Sequence, residues 1–473
     1  MAEDAEMDAE PRILFTAPWE PVVVRRGDAL GLLALADQFA DTIAPGLSNR
    51  VRDGRWVTIL AWCLARSHEV FHARGGRSVT TRKEQRDRYA WLRPLELMWV
   101  ARTIALVEDW RDRPLAGQRR VRPWYEDDGQ STDRFGMTVD QFRAYRQRGL
   151  YGGYRVAFRK WPNMTAEGDG WTPGPATNGI AKWLDQKLGV ARPPWPLHLA
   201  DDHEDSPLKQ MPKLGLGDKH DWWLRHWKGF DRVGRSADEN TLPRRKDDFA
   251  VLPEAGHLRL VIFGNDGDGQ RRLRVAREVQ KAAATDHMGV CEHLGGVLRK
   301  DDRFDRAVAL LPRFSRLSDA GMAAMDFIAT SLRIAGESSV ALADVAADPV
   351  ARDVCNELRA AARVWPTDAE MKLRHIETAN RFATAISDAR PIECLRALLN
   401  YHEIYGGGLR WFVLRDGRVE ARTLPRGGSS RYRFRLWPLC RLAAQCGVLR
   451  GMPGALRADN EAGDDQLPED ADE

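Results

Sequence analysis

The chain has 473 residues, 43% apolar, 30% charged and 8% aromatic, which excludes collagen-like, mucin-like and wholly disordered proteins and supplies material for more than one core. Its net charge of +4 hides a segregation, because residues 1–10 carry five acids, residues 458–473 carry eight, and neither stretch has a Lys or Arg. Removing those 13 acids from the total of 68 leaves 55 against 72 basic residues, so the body stands at +17, a balance that fits a polyanionic partner.

The expected fold class is mainly α, a multi-domain helical body ending in a small α+β winged-helix-like module. Residues 1–10 and 453–473 read as acidic disordered tails. Residues 11–160 read as an N-terminal helical domain. Asp28 caps a helix through Phe39, Gly75-Gly76 stop another that starts near Arg55, and a third runs from about Arg88 to Trp110 with a bend at Pro94. Thr138 and Gln141 have capping-box spacing for a helix ending at Gly149. Residues 161–250, broken by prolines, form a connecting or inserted region with short helices near 176–188 and 221–230. In the central helical domain, 251–390, a strand is expected at His257–Phe263, followed by a turn over Gly264–Gly269. Ser318 is expected to cap a helix reaching Arg333, and Thr367 with Glu370 to form another capping box.

The module at 391–452 is the clearest piece. Pro391 suits the first turn of a helix that Gly406-Gly407-Gly408 end. Leu409–Leu414 and Val419–Leu424 flank Asp416-Gly417, a hairpin signal because both residues tolerate positive φ. A third strand is expected at Arg431–Leu436, where Tyr432, Phe434 and Leu436 alternate with Arg431, Arg433 and Arg435. A last helix covers about 438–449. Residues 409–450 hold ten Arg and no Lys against Asp416 and Glu420 alone. Arg410, Arg418, Arg422, Arg431, Arg433 and Arg435 are therefore candidates to hold backbone phosphates. A second basic stretch includes Arg155 and Arg159 among Tyr151, Tyr154, Phe158 and Trp161, a mixture that suits an ordinary aromatic core or phosphate contact with base stacking.

His68-Glu69-Val70-Phe71-His72 is a literal HExxH, the pattern in which two His one helical turn apart share a zinc ion while the Glu activates a water. Arg66 and Arg74 beside it and the early stop at Gly75-Gly76 argue against a metal site, although Glu96 on the next helix offers a third ligand. The six cysteines make no CxxC pair and read as buried thiols of a reducing compartment. No stretch offers 18 clean apolar residues, and the acidic start lacks a signal-peptide core, so a cytoplasmic protein without a membrane partner is expected.

Tyr151-Gly152-Gly153-Tyr154-Arg155-Val156-Ala157-Phe158-Arg159, Gly406-Gly407-Gly408-Leu409-Arg410-Trp411-Phe412 and Arg431–Leu436 resemble segments of uncharacterised bacterial proteins of anti-phage defence islands. The resemblance covers about 25 residues and brings no catalytic residues. It implies an accessory subunit working near DNA, with a helicase or methyltransferase of the same system as protein partner. The expectation is thus a non-catalytic subunit of a bacterial anti-phage defence complex that binds nucleic acid, as duplex DNA, with no cofactor. The alternatives are a zinc-dependent hydrolase using His68, Glu69 and His72, or a pure protein–protein scaffold.

Overall fold

The computed structural model describes residues 28–73, 81–108, 113, 150–189, 238, 240–366, 373–387, 389–406, 410–422 and 432–457. In chain order its helices are α1 (Leu33–Ile43), α2 (Gly54–Ala73), α3 (Arg82–Leu106), α4 (Leu150–Lys160), α5 (Pro175–Lys187), α6 (Ala255–Ile262), α7 (Gly267–Lys281), α8 (His287–Leu298) and α9 (Leu311–Ala335). Strand β1 (Ser339–Ala341) follows, then α10 (Leu342–Ala347), α11 (Pro349–Val364), α12 (Ile376–Ser387) and α13 (Pro391–Tyr405). Strands β2 (Phe412–Arg415) and β3 (Arg418–Ala421) precede α14 (Leu436–Gln445). The protein is mainly helical with a small antiparallel sheet, as the composition and periodicity led one to expect. No helix among the described residues is long and apolar enough to cross a membrane.

The chain divides into two compact units. One is built from Leu33–Arg316, Ala369–Glu377 and Arg431–Glu473, the other from Met1–Leu32, Leu317–Asp368 and Thr378–Ser430. The Arg-rich segment expected as a single module is therefore shared, with its hairpin in the second unit and α14 in the first.

In the first unit α2 is the central helix. Trp56, Ile59, Leu60, Trp62 and Cys63 are all buried, as they must be when a helix is apolar around most of its circumference. It packs on α3 and α5, and Trp62 meets Trp99 edge-on with ring centroids 6.1 Å apart. Helix α3 starts earlier than Arg88. Thr81 Oγ1 accepts the Glu84 N–H at 3.2 Å and Glu84 Oε2 accepts the Thr81 N–H at 2.7 Å, a complete capping box. The helix continues through Pro94.

Three local expectations are corrected. The strand expected at His257–Phe263 is α6, with Leu258, Val261 and Ile262 buried at spacings of three and one, a helical face. Ser318 is not at a helix start. It lies buried inside α9, which a 3-10 turn over Arg306–Leu310 feeds from its start at Leu311, with Pro312 tolerated in the first turn. The strand expected at Arg431–Leu436 is also absent from its described part, since Phe434 (φ 48°) and Arg435 (φ 59°) are left-handed and Leu436 already opens α14. Left-handed backbone cannot continue a pleated ladder, so the period-two pattern there is accidental. The features placed at Thr138–Gln141, 221–230 and Thr367–Glu370 lie outside the described residues.

In the second unit the three strands pair in the order β1–β3–β2, all antiparallel. The third strand is thus supplied by residues far upstream. Leu342 N–H donates to Gly417 O and Ala421 N–H to Ser338 O, which extends the β1 pairing at both ends. The Asp416-Gly417 turn forms as expected, with φ of 48° and 75°, both in the left-handed region. Pro391 stands in the first turn of α13, again as read from the sequence. Phe412 and Val419 bury one face of the hairpin, while Arg415 and Arg418 are exposed. All six cysteines of the chain are buried and unbridged.

Candidate functional site

The basic residues singled out in the sequence separate into three groups. On the hairpin of the second unit, Arg418 Nε donates to Ser339 Oγ at 3.0 Å and its Nη2 to Ser339 O at 2.9 Å, with Glu337 at 3.7 Å. Its side chain stays 49% exposed, so the guanidinium is braced by β1 while one side meets solvent. Arg410, two residues before β2, donates to Gly406 O, which straps the approach to that strand to the end of α13. Arg422 is exposed and its side chain has no ion pair among the described residues. Arg415 was missed in the sequence. It sits directly opposite Arg418 across the hairpin tip, and its position just before Asp416-Gly417 was the available signal.

The second group lies in the first unit. Arg435 donates to Asp37 at 2.9 Å and to Asp41, both on α1, and its side chain is 11% exposed. An Arg already paired twice inside its own unit has little left for a phosphate, so Arg435 is reassigned to holding α14 against α1. Arg433 is half-buried, and Arg431 lies outside the described residues.

The third group is on α4. Arg155 stacks over Trp171 at 4.6 Å and bonds Gln85 Oε1 and Asp169 O, each at 3.4 Å. Arg159 Nε donates to Gly168 O at 3.1 Å. Tyr151, Tyr154, Phe158 and Trp161 are buried to 2% exposure or less, which removes their faces from any base. Both Arg residues pin the turn around 168–170 onto α4, the ordinary-core outcome for this stretch.

The HExxH segment forms the last turns of α2. His68 and His72 ring centroids lie 5.7 Å apart, tilted by 47°. Glu69 Oε1 accepts from Arg66 Nη1 at 2.6 Å, so the carboxylate that a zincin leaves for water is here engaged by a guanidinium. Glu96 is not a third ligand. One carboxyl oxygen accepts the Tyr151 N–H and the other the Tyr89 hydroxyl at 3.2 Å, and burial raises its pKa to about 7 despite neighbouring Arg93. Among the described residues no group of three or more His, Cys, Asp or Glu is placed to hold a metal ion.

A cavity of about 650 Å³ opens beside the same segment, between α2 and α5. Its walls include His68, Glu69, Lys182 and Asp185, with Ala65 and Ala181 adding only methyl groups. Asp185 is held in that wall by its partners, accepting from Trp62 Nε1 at 2.7 Å and from Arg66 Nε and Nη2. Burial, with help from Arg88 and His72, lowers the His68 pKa to about 4, so the ring is neutral near pH 7. Its Nδ1 is buried with no hydrogen-bond partner among the described residues.

Compared with models of known families, with curated proteins and with solved structures, the chain matches none.

Proposed function

We propose that the chain binds the phosphate backbone of duplex DNA through the tip of its β2–β3 hairpin, as a DNA-associated subunit of a bacterial defence complex. The observation that carries the reading is the pairing of Arg415 with Arg418 directly across the tip, both exposed. Like charges placed opposite each other on a two-stranded ribbon destabilise it, and a phosphate bound between them turns that repulsion into attraction. Exposed Arg422 at the far end of β3 adds a third guanidinium. The strand order β1–β3–β2, with helices between the first two strands and a hairpin last, agrees with a winged-helix-like unit whose wing is that hairpin. The defence setting and a helicase or methyltransferase companion come from the resemblance of the Tyr151–Arg159, Gly406–Phe412 and Arg431–Leu436 segments.

Fluorescence anisotropy with a labelled duplex of about 20 base pairs, titrated at several salt concentrations, tests the proposal. Replacing both Arg415 and Arg418 by Gln is expected to lower affinity and to reduce the salt slope by about two. Arg415→Gln alone, which leaves the Ser339 bonds of Arg418 in place, is expected to reduce it by about one. An unmeasurable affinity at low salt, or an unchanged slope in both variants, overturns it.

A further inference from the structure

Two of the buried cysteines stand side by side in the second unit. Helix α11 packs on α13, which brings Cys355 on the first against Cys394 in the first turn of the second. Cys394 Sγ lies 4.0 Å from the carbonyl oxygen of Cys355, and its thiol also donates to the Cys355 sulfur. Thiols in hydrogen-bond contact across two helices are a side-chain rotation away from a sulfur–sulfur bond of about 2 Å. The surroundings favour a thiolate at Cys355. Arg359 follows one helical turn later on α11, and its Nε is buried with no hydrogen-bond partner among the described residues. Donation from Cys394, with the charge of Arg359, holds the Cys355 pKa below the ordinary thiol value, whereas the same bond and burial raise that of Cys394. Burial raises Cys63, Cys440 and Cys446 as well, so those thiols stay protonated and inert.

We propose that Cys355 and Cys394 are an oxidative modification site, closing to a reversible disulfide when the chain meets hydrogen peroxide. The Cys355 thiolate attacks one peroxide oxygen, the O–O bond breaks, and the departing hydroxide takes up a proton and leaves as water. Cys355 is then a sulfenic acid. The Cys394 sulfur attacks it, the S–S bond forms as the S–O bond breaks, and the hydroxyl leaves as water with the Cys394 proton. Two thiols lose two electrons and two protons in all, and one peroxide is reduced to two waters. A dithiol reductant reverses the bond by exchange. The link spans 39 residues of chain and fastens α11 to α13, whose far end leads into β2. It draws on nothing in the DNA reading.

Hydrogen peroxide treatment of the full native chain, followed by alkylation in denaturant and peptide mapping by mass, tests it. The expected result is a cross-linked peptide pair containing Cys355 and Cys394, with four of the six thiols left for alkylation and full reversal by dithiothreitol. This mapping uses the unaltered chain, so it needs no variant to fold. In Cys394→Ser, with its fold checked by circular dichroism, the cross-link is lost and Cys355 is expected as a sulfenic acid trapped by dimedone. The proposal is overturned if the native chain forms no Cys355–Cys394 link, if these two pair as often with the other four cysteines, or if the link forms only when peroxide is added in denaturant. It is equally overturned if dimedone labels Cys355 of the folded Cys394→Ser chain no better than Cys63.

Discussion

The Nε2 of His402 accepts the backbone N–H of Trp411 at 2.9 Å, while its Nδ1 bonds the carbonyl of Ala29 at 2.8 Å. Nδ1 therefore carries the proton, and one buried imidazole on α13 ties the entry of β2 to the segment before α1. Replacing His402 by Ala leaves a buried N–H and a carbonyl unpartnered and opens a cavity. The expected cost is about 2–4 kcal/mol, measured by chemical denaturation, with faster hydrogen exchange at Trp411. Burial holds the His402 pKa below its ordinary value. A depressed histidine protonates first in the unfolded chain, so this unit loses stability as pH falls below about 6.5. A profile that is flat on the acid side in wild type and unchanged in the variant would contradict the assignment.

Arg435 is a structural residue by the geometry, and it occupies a left-handed backbone position with φ of 59°. Arg435→Ala should cost about 1 kcal/mol through its pairs with exposed Asp37 and Asp41. Arg435→Gly loses the same pairs but relieves the backbone, so it should be about 1 kcal/mol more stable than the Ala variant. Thermal denaturation ranks the two, and neither should alter DNA affinity. An Ala variant more stable than Gly would rule out the backbone account.

Glu96 and His68 should pull stability in opposite directions with pH. Glu96 is raised to about 7 from 4.5 by burial, so the native state holds a proton that the unfolded state has lost, and stability falls as pH rises through that window. His68 is lowered to about 4 from 6.5 by burial, so its contribution is lost as pH falls through 6.5 to 4. The windows overlap, and the wild-type contributions largely offset. Glu96→Gln should unmask a profile that rises with pH, and His68→Asn one that falls by up to about 3 kcal/mol. Denaturation midpoints between pH 4 and pH 7 decide it, and identical slopes in both variants would sink the idea.

Thr81 caps α3 by accepting the Glu84 N–H. Thr81→Ala should cost about 1 kcal/mol and Thr81→Ser almost nothing, measured by the same denaturation. Equal losses in both would show that the methyl group, not the hydroxyl, matters here.

Punctuation in this sequence was read more securely than periodicity. Pro391 and Asp416-Gly417 mark a helix start and a turn through their own backbone chemistry, which no distant contact needs to supply, and both stand where expected. Period-two alternation at Arg431–Leu436 and the apolar run at His257–Phe263 misled, because which face of a short segment is buried depends on what packs against it. At 434 that partner is Phe39, in contact with the Phe434 ring at 6.2 Å. The charge density at the end of the chain was legible, but not which guanidiniums stay open, since Asp37 and Asp41 are almost 400 residues away from Arg435. The cavity beside His68 was invisible for the same reason. The HExxH string drew attention to the right turn of α2, yet much of the wall there comes from α5, between Asn178 and Gln186.

Strand β3 has its two neighbours on very different schedules, since β2 adjoins it through a two-residue turn whereas β1 is synthesised almost eighty residues earlier. A truncated polypeptide starting at the helix Pro391–Tyr405 would contain the whole hairpin but leave one backbone edge of its second strand bare, an invitation to self-association. Keeping residues from Ser338 onward supplies the missing rung, so shortening the chain from its front should trade solubility for size abruptly at that point and not gradually.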